Sequence, residues 1–426
     1  MKIALVNQPW DSVTPPVQAG SIPIWNYQVA RQLAKSCQVV IYARQNRQQK
    51  AVEWNQQVEY RRVSVTGEKI FNGFSRLINK LAPKSYYFAS SLYGVSYALS
   101  LALDLRQQQC DVVHIHNFSQ FVPLIRAFNP NIKIVLHMHC EWLSQLNPNV
   151  MAKRLAHVEL IFGCSHYITD KIKAYFPQLA ERCQTVFNGV DIEKFIKKSD
   201  SSSQSDCLKL LFVGRISPEK GLHTLIDAFK IVLEQYPQTQ LQIVGPNKPA
   251  PTEFIASLSD DPTVASLAKF APEQYYSYLQ SQVSSQVVNQ VSFVGGIKHS
   301  QLVQLYEEAD ILINPSLSES FGMSLVEAMA MGLPVIASRV GGMTGIVEEG
   351  KTGILFEPDN PIALAEAIMQ LIKDEQLRTI MGEAGHQRVL NYFSWHKVAE
   401  SLFVHYSRLM ELPGQSLVQN YATESL

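Results

Sequence analysis

Two glutamates, Glu319 and Glu327, stand eight positions apart in the run ESFGMSLVE, with Gly322 between them. Carboxylates are strong hydrogen-bond acceptors, and each can hold paired hydroxyls of a sugar. A wholly helical offset of eight would separate the two by about 12 Å, enough to address two ends of one ligand. Gly322 opens the helix, and the backbone amides of Phe321, Gly322, Met323 and Ser324 are then available to phosphate oxygens. A dipole preference for acids at a helix start would explain Glu319, but not the glycine at the strand–helix junction. A second cluster, Gly214-Arg215-Ile216-Ser217-Pro218-Glu219-Lys220-Gly221, carries two cations into the start of another helix. Gly214 permits close backbone approach at a strand end, and Arg215 and Lys220 suit a phosphate or diphosphate.

The elements that must position these groups are legible as short β-branched runs alternating with amphipathic stretches. Strands are expected at 2–8, 38–44, 58–65, 111–117, 133–139, 160–165 and 185–190 in the first half. In the second they are expected at 208–216, 240–245, 291–297, 310–316, 334–339 and 353–357. Continuous apolar runs such as Leu210-Leu211-Phe212-Val213 suit parallel strands covered on both faces. The repeated βαβ pattern predicts an α/β class with open parallel sheets. One polar segment, 197–206, contains no apolar residue and has the composition of an exposed linker. The predicted organisation is therefore a domain over 1–196, the linker, and a second Rossmann-like domain over 207–392. A final stretch over 393–426 lies beyond the second sheet. Open α/β sheets bind ligands beyond the carboxyl ends of their strands, so a cleft faced by both sheets is expected.

At this point the chain resembles the retaining family-4 glycosyltransferases of the GT-B fold. Glu319 and Glu327 match that family's E-x7-E signature, and GRISPEKG at 214–221 is similar to its diphosphate-binding turn. NGVD at 188–191, ADILINPS at 309–316, VGGMTGIVEEGKTGILF at 340–356 and FSWHKVAESL at 393–402 follow in the same order. The resemblance implies a UDP- or GDP-sugar donor and a hydroxyl acceptor: a glycan, a glycolipid or a small metabolite. It implies that Arg215 and Lys220, beside Gly214, neutralise the donor diphosphate. It further implies that Glu327 accepts from the nucleotide ribose and that Glu319 holds hydroxyls of the transferred sugar. The amides of Phe321, Gly322 and Met323 would meet sugar and phosphates. Transfer would proceed with retention and without a covalent nucleophile, and the last helix would return to the first domain. A sugar-phosphate-type synthase, a phosphorylase, or a sugar-nucleotide binder without turnover are the alternatives on the same fold.

In the first half, Gln18-Ala19-Gly20-Ser21 resembles the family's glycine loop, with one glycine where relatives often have two. Gly20 is thereby a substrate-facing candidate. His139 matches the family's histidine near the reacting centre. Alternation puts His137 and His139 on one side of a strand, but no third ligand at suitable spacing accompanies them, so no metal site is expected. No cofactor is expected either, the nucleotide sugar being a substrate. Segment 246–290 is longer than usual in the family and leaves the base contact unassigned. Over 69–84, Lys69, Arg76, Lys80 and Lys84 gather opposite an apolar face, so this stretch is either a core-facing helix with a solvated basic side or one that could lie on an anionic membrane surface.

Composition narrows the field further. Thirty-seven basic residues balance 37 acidic ones over 426 residues, which argues against a general nucleic-acid binder. No G-x-G-x-x-G follows a first strand, which disfavours a nicotinamide dehydrogenase. The apolar opening ends at Asn7, too early for a signal peptide. The six cysteines are scattered without a C-x-x-C pair, which suits reduced thiols. The expected location is cytoplasmic, with peripheral attachment at the inner membrane face if 69–84 binds lipid.

Overall fold

The computed structural model describes residues 1–65, 73, 86–196, 207–249, 255–283 and 287–411. The linker expected at 197–206 lies outside the described residues, as does the basic stretch 69–84 save for Gly73. The chain divides into two compact units: Met1–Val186 with the described residues from Val398 on, and Phe187–Lys397.

In the first unit the strands are β1 (Lys2–Val6), β2 (Gln38–Arg44), β3 (Val52–Asn55), β4 (Val58–Val63), β5 (Val112–His116), β6 (Lys133–Met138), β7 (Leu160–Gly163) and β8 (Cys183–Thr185). Among the described residues they form one sheet in the order β3-β4-β2-β1-β5-β6-β7-β8. The pairing is parallel except at the edge, where β3 runs antiparallel to β4. Sequence periodicity misses β3 because it is four residues long, with Trp54 66% exposed, so burial never patterns it. The strand expected at 185–190 is instead β8, ending at Thr185. Ile3, Ala4, Leu5, Val113, Ile134 and Leu136 are fully buried, the outcome that their near-continuous apolar runs require.

The second unit contains β9 (Lys209–Val213), β10 (Gln240–Val244), β11 (Val291–Gly295), β12 (Ile311–Asn314), β13 (Val335–Ser338) and β14 (Gly353–Phe356). They form a parallel sheet in the order β11-β10-β9-β12-β13-β14. The order therefore reverses direction between β9 and β12. That reversal opens a crevice at the carboxyl ends of these two neighbours, because their following helices leave toward opposite sides. Leu210, Phe212, Ile243, Ile313 and Ile336 pack against Ile226 and Phe229 of the helix Leu222–Gln235 and Leu364 and Ile368 of the helix Pro361–Lys373. Each such side chain contributes about 1.5–3 kcal/mol on burial.

The junctions differ in detail from the boundaries expected at 196 and 392. Residues 187–196 belong with the second unit: the Val190 amide donates to the Phe393 carbonyl at 2.7 Å, and Phe187 packs on Phe393. Gly189 admits Trp395, whose ring atoms lie 2.5 Å from where a Cβ would stand. The helix Trp395–Glu411 begins in the second unit and from Val398 is counted with the first. There Tyr406 is buried with its hydroxyl 2.6 Å from His114 Nδ1, and His405 packs on Phe162. No helix among the described residues is long and apolar enough to cross a membrane.

The Tyr406 contact is testable. His114 Nε2 already lacks a partner, so Tyr406→Phe would leave both ring nitrogens of a buried histidine unbonded. We expect a loss of about 1–3 kcal/mol, seen as a lower urea midpoint. Tyr406→Ala adds a cavity and should cost about 3–5 kcal/mol. An unchanged midpoint for both would remove the anchoring role of this helix.

Candidate functional site

The chemistry expected of the second unit assembles at the β9/β12 crevice. Beyond β9 the chain turns through Gly214 to Gly221, stitched to its neighbour strand by Gly214 N donating to Val244 O and Ile216 N to Pro246 O. Pro218 to Lys220 form a short 3-10 turn, and Gly221 then adopts φ +64 at the start of the helix Leu222–Gln235. A side chain there is excluded twice over, since a Cβ would also lie 2.0 Å from the Pro315 carbonyl oxygen. This glycine lets the turn press against the end of β12. The Glu219 carbonyl accepts from the Leu317 amide at 2.8 Å, zipping the two loops together.

The consequence is a contact between residues 99 positions apart: Lys220 Nζ donates to Glu319 Oε2 at 2.6 Å. Burial alone would raise the Glu319 carboxyl. The charge and hydrogen bond of Lys220 oppose this, helped by the Phe321 amide and by Arg215, and hold it below its ordinary value. Arg215 donates to Glu219 Oε1 at 3.1 Å while its side chain stays 43% exposed. Glu219, which the sequence marks only as a first-turn acid, is buried between Arg215 and the Ser217 hydroxyl.

Gly322 takes φ +114 and caps the helix Met323–Ala330. Leu325 N finds Gly322 O at 3.0 Å, whereas Met323 and Ser324, in the first turn, have no acceptor within their own helix. Phe321 N instead reaches Glu319 Oε1, at 3.4 Å. The Phe321 ring is buried against Phe187 and Phe393, so the residue before NGVD and the first residue of FSW hold the loop. Gly341 and Gly342 support it from another side: Gly342 N donates to Glu319 O at 2.9 Å, and a Cβ on Gly342 would sit 2.2 Å from Ser320 O. The long segment after β10 has a related use. Its Ala256, Val264 and Leu267 pack on Leu317, two residues before Glu319.

Glu327 is buried and already doubly bonded, accepting from His299 at Oε1 and from Tyr306 at Oε2, both at 2.8 Å. Neither donor stands out in the sequence, because 28 and 21 residues separate them from Glu327.

The first unit brings its candidates to the carboxyl edge of its own sheet. Gly20 precedes the helix Ser21–Leu33 at φ +83. His139 follows β6, its amide bonded to Asn117 Oδ1 at 2.7 Å and its Nε2 2.9 Å from His116 Nδ1. The expectation that His137 lacks companions needs correction. Parallel pairing of β5 with β6 registers His116 opposite His137, and candidate nitrogens of His114, His116 and His137 lie within 4.8 Å of one another. Burial holds all three histidines well below their ordinary pKa, hence neutral. His116 spends its nitrogens on Asn26 and His139, leaving only His114 Nε2 and His137 Nδ1 without partners in the trio. Three neutral imidazoles are a ligand set that suits zinc, but here both His116 nitrogens are engaged by Asn26 and His139.

Two Rossmann-like units built on largely parallel sheets give the architecture of the GT-B fold. Residues 24–194 match the family described as Glycosyltransferase Family 4, and residues 193–388 the one described as Glycosyl transferases group 1. The chain belongs to this glycosyltransferase family. It is 27% identical over 396 residues to the lipopolysaccharide 1,2-N-acetylglucosaminetransferase of Salmonella typhimurium, covering 91% of this chain and 93% of that one. Among solved structures, the sucrose-phosphate synthase of Thermosynechococcus elongatus superposes with a TM-score of 0.72 at 22% identity, covering 96% and 99% of the two chains. The HepE protein of Anabaena in complex with UDP-glucose gives 0.65 at 21% identity, covering 96% and 100%.

Two outcomes follow from this geometry. Lys220→Met should raise the Glu319 pKa, since burial then acts with its main opponent gone; a carbon-detected NMR titration reads it. In the native protein the depressed carboxyl contributes stability in full above its ordinary 4.5, and loses it as acidification passes the lower folded value. Gly342→Ala should displace the Glu319 loop, costing about 1–3 kcal/mol in urea unfolding. A variant as stable as the parent would show that the loop yields freely.

Proposed function

We propose that this protein transfers a hexose from a nucleoside diphosphate sugar to an acceptor hydroxyl, with retention of the anomeric configuration. The observation that carries the reading is the 2.6 Å contact of Lys220 with Glu319 at the strand-order reversal, beside the first turn of Met323–Ala330. A cation, a carboxylate and unbonded helix amides at one crevice match a ligand that is anionic at one end and polyhydroxylated at the other.

Bound there, the diphosphate takes over Lys220 and Arg215, and its remaining oxygens meet the amides of Met323 and Ser324. Gly214 keeps the floor of the turn low enough for this approach. Glu319, freed from the ammonium, accepts from hydroxyls of the transferred sugar, with the amides of Phe321 and Gly322 alongside. Glu327 accepts from the ribose. As the glycosidic bond to the diphosphate breaks, negative charge grows on the departing oxygen, and the two cations stabilise it more than they stabilise the intact donor. The acceptor hydroxyl attacks the face that the diphosphate leaves, and its proton passes to the departing phosphate oxygen. Gly20 and His139 belong to the first unit, and by the family resemblance they serve the acceptor. Charge compensation comes from side chains and helix amides, so no resident metal or cofactor is required.

UDP-glucose, held by the Anabaena relative, and UDP-N-acetylglucosamine, suggested by the Salmonella relative's name, are the first donors to test. That relative also makes a growing glycan or glycolipid the first acceptor class, with a hexose phosphate as the contrasting arm. We expect nucleoside diphosphate release that depends on acceptor, and a product with the donor's anomeric configuration by NMR. Lys220→Ala and Glu319→Ala should each lower kcat by about 10²–10³ while circular dichroism is unchanged. Near-parental rates for both would remove their assigned roles, and an inverted product would refute retention.

A further inference from the structure

Behind Glu327 lies a chain of side chains that the transfer reaction itself does not explain. Lys194 Nζ lies 2.9 Å from His299 Nδ1 and 3.0 Å from the His299 carbonyl oxygen. His299 Nε2 lies 2.8 Å from Glu327 Oε1, and the Tyr306 hydroxyl donates to Oε2 at the same distance. Phe195 buttresses the group, its ring 5.4 Å from that of His299 and 5.8 Å from that of Tyr306. All five residues belong to the second unit.

Hydrogen-bond bookkeeping leaves one arrangement. An ammonium has only donors, so His299 Nδ1 accepts; a carboxylate has only acceptors, so Nε2–H donates. With that pairing the imidazole is locked in one tautomer, and Lys194 polarises it toward Glu327. With one donor on each oxygen, the Glu327 carboxylate plane is fixed. A carboxylate offers about four lone-pair positions, and two are taken, so two remain at set directions. A free carboxylate on a helix would rotate; this one is aimed.

We propose that His299 and Lys194 are positioning residues that aim Glu327 at the two vicinal hydroxyls of a ribose, and so make the site selective for ribonucleotides over 2′-deoxyribonucleotides. The proposal rests on the reading of Glu327 as the ribose acceptor. A diol fills both remaining positions, whereas a 2′-deoxy sugar leaves one desolvated and unpaired. Loss of a hydrogen bond to a charged group corresponds to roughly ten- to hundredfold in affinity. In this scheme the imidazole sets direction, and it need not touch the ligand.

The test is calorimetric titration of the intact protein with UDP, dUDP, GDP and dGDP, for the parent, His299→Ala, His299→Gln and Lys220→Ala. The parent should prefer the ribonucleotide by roughly ten- to hundredfold. His299→Ala should bring that ratio close to one, by weakening the ribonucleotide and sparing the deoxynucleotide. His299→Gln, whose amide N–H can replace Nε2–H, should restore most of it. A general loss of packing would weaken both nucleotides alike and leave the ratio intact. An unchanged ratio in His299→Ala overturns the proposal while the diphosphate site stands, provided that Lys220→Ala still weakens every nucleotide. No nucleotide binding by the parent, or no effect of Lys220→Ala, overturns the donor-site reading and this proposal with it. If His299→Ala does not fold, a ribonucleotide preference lost in His299→Gln, with binding otherwise retained, counts against the carboxylate-aiming role.

Discussion

An ammonium and a carboxylate from loops 99 residues apart meet at 2.6 Å where β9 and β12 run side by side, and much of the second unit is arranged to allow it. The approach is set by backbone. Gly221 lies where only a glycine fits against Pro315, and the Glu219 carbonyl takes the Leu317 amide, so the two loops move together. Gly341 and Gly342 close in on the carbonyls of Glu319 and Ser320 from another direction. Phe187 and Phe393 hold Phe321, and the segment after β10 holds Leu317. A largely buried charged pair is worth little by itself, because desolvation offsets the attraction. What these contacts supply is position: the charges are held in place at the crevice, with reorganisation already spent in folding.

The carboxylates of the second unit are held by different means, and that difference suits different partners. Glu319 is balanced mainly by the Lys220 ammonium, which in the proposed reaction an incoming phosphate would draw away. Glu327 is gripped by hydrogen bonds from His299 and Tyr306. One carboxylate is therefore exchangeable and the other stationary. In the first unit the polar interior is neutral instead. Four histidines surround Trp25, and burial strips the three deepest of charge, leaving a hydrogen-bonded path from Asn26 through His116 to His139.

Particular residues mark how far the chain can be understood from its letters. Apolar runs announce β9 and β12 as buried parallel strands, and the glycines at 214 and 322 announce where loops become helices. Each depends on neighbours within a few positions. The short edge strand β3 escapes notice, since it has no buried face to produce a pattern. The domain junctions fall at 186 and 397, because Val190 bonds Phe393 and Trp395 covers Gly189, pairings that no local signal records. His114 and His116 look incidental until β5 lies in register with β6 and puts His116 opposite His137.

The amino-acid sequence alone thus determined the α/β class, the alternation of strand and helix, and the spacing that sets two glutamates on one loop and helix. Those are consequences of periodicity, which acts over one strand or one turn. Only the tertiary structure decided that β9 neighbours β12, that Lys220 answers Glu319, and that His299 and Lys194 stand behind Glu327. Strand order follows from which apolar faces can be covered together across the whole unit, and so do the partners of a buried polar group. Both are properties of contacts between distant segments, which spacing along the chain does not encode.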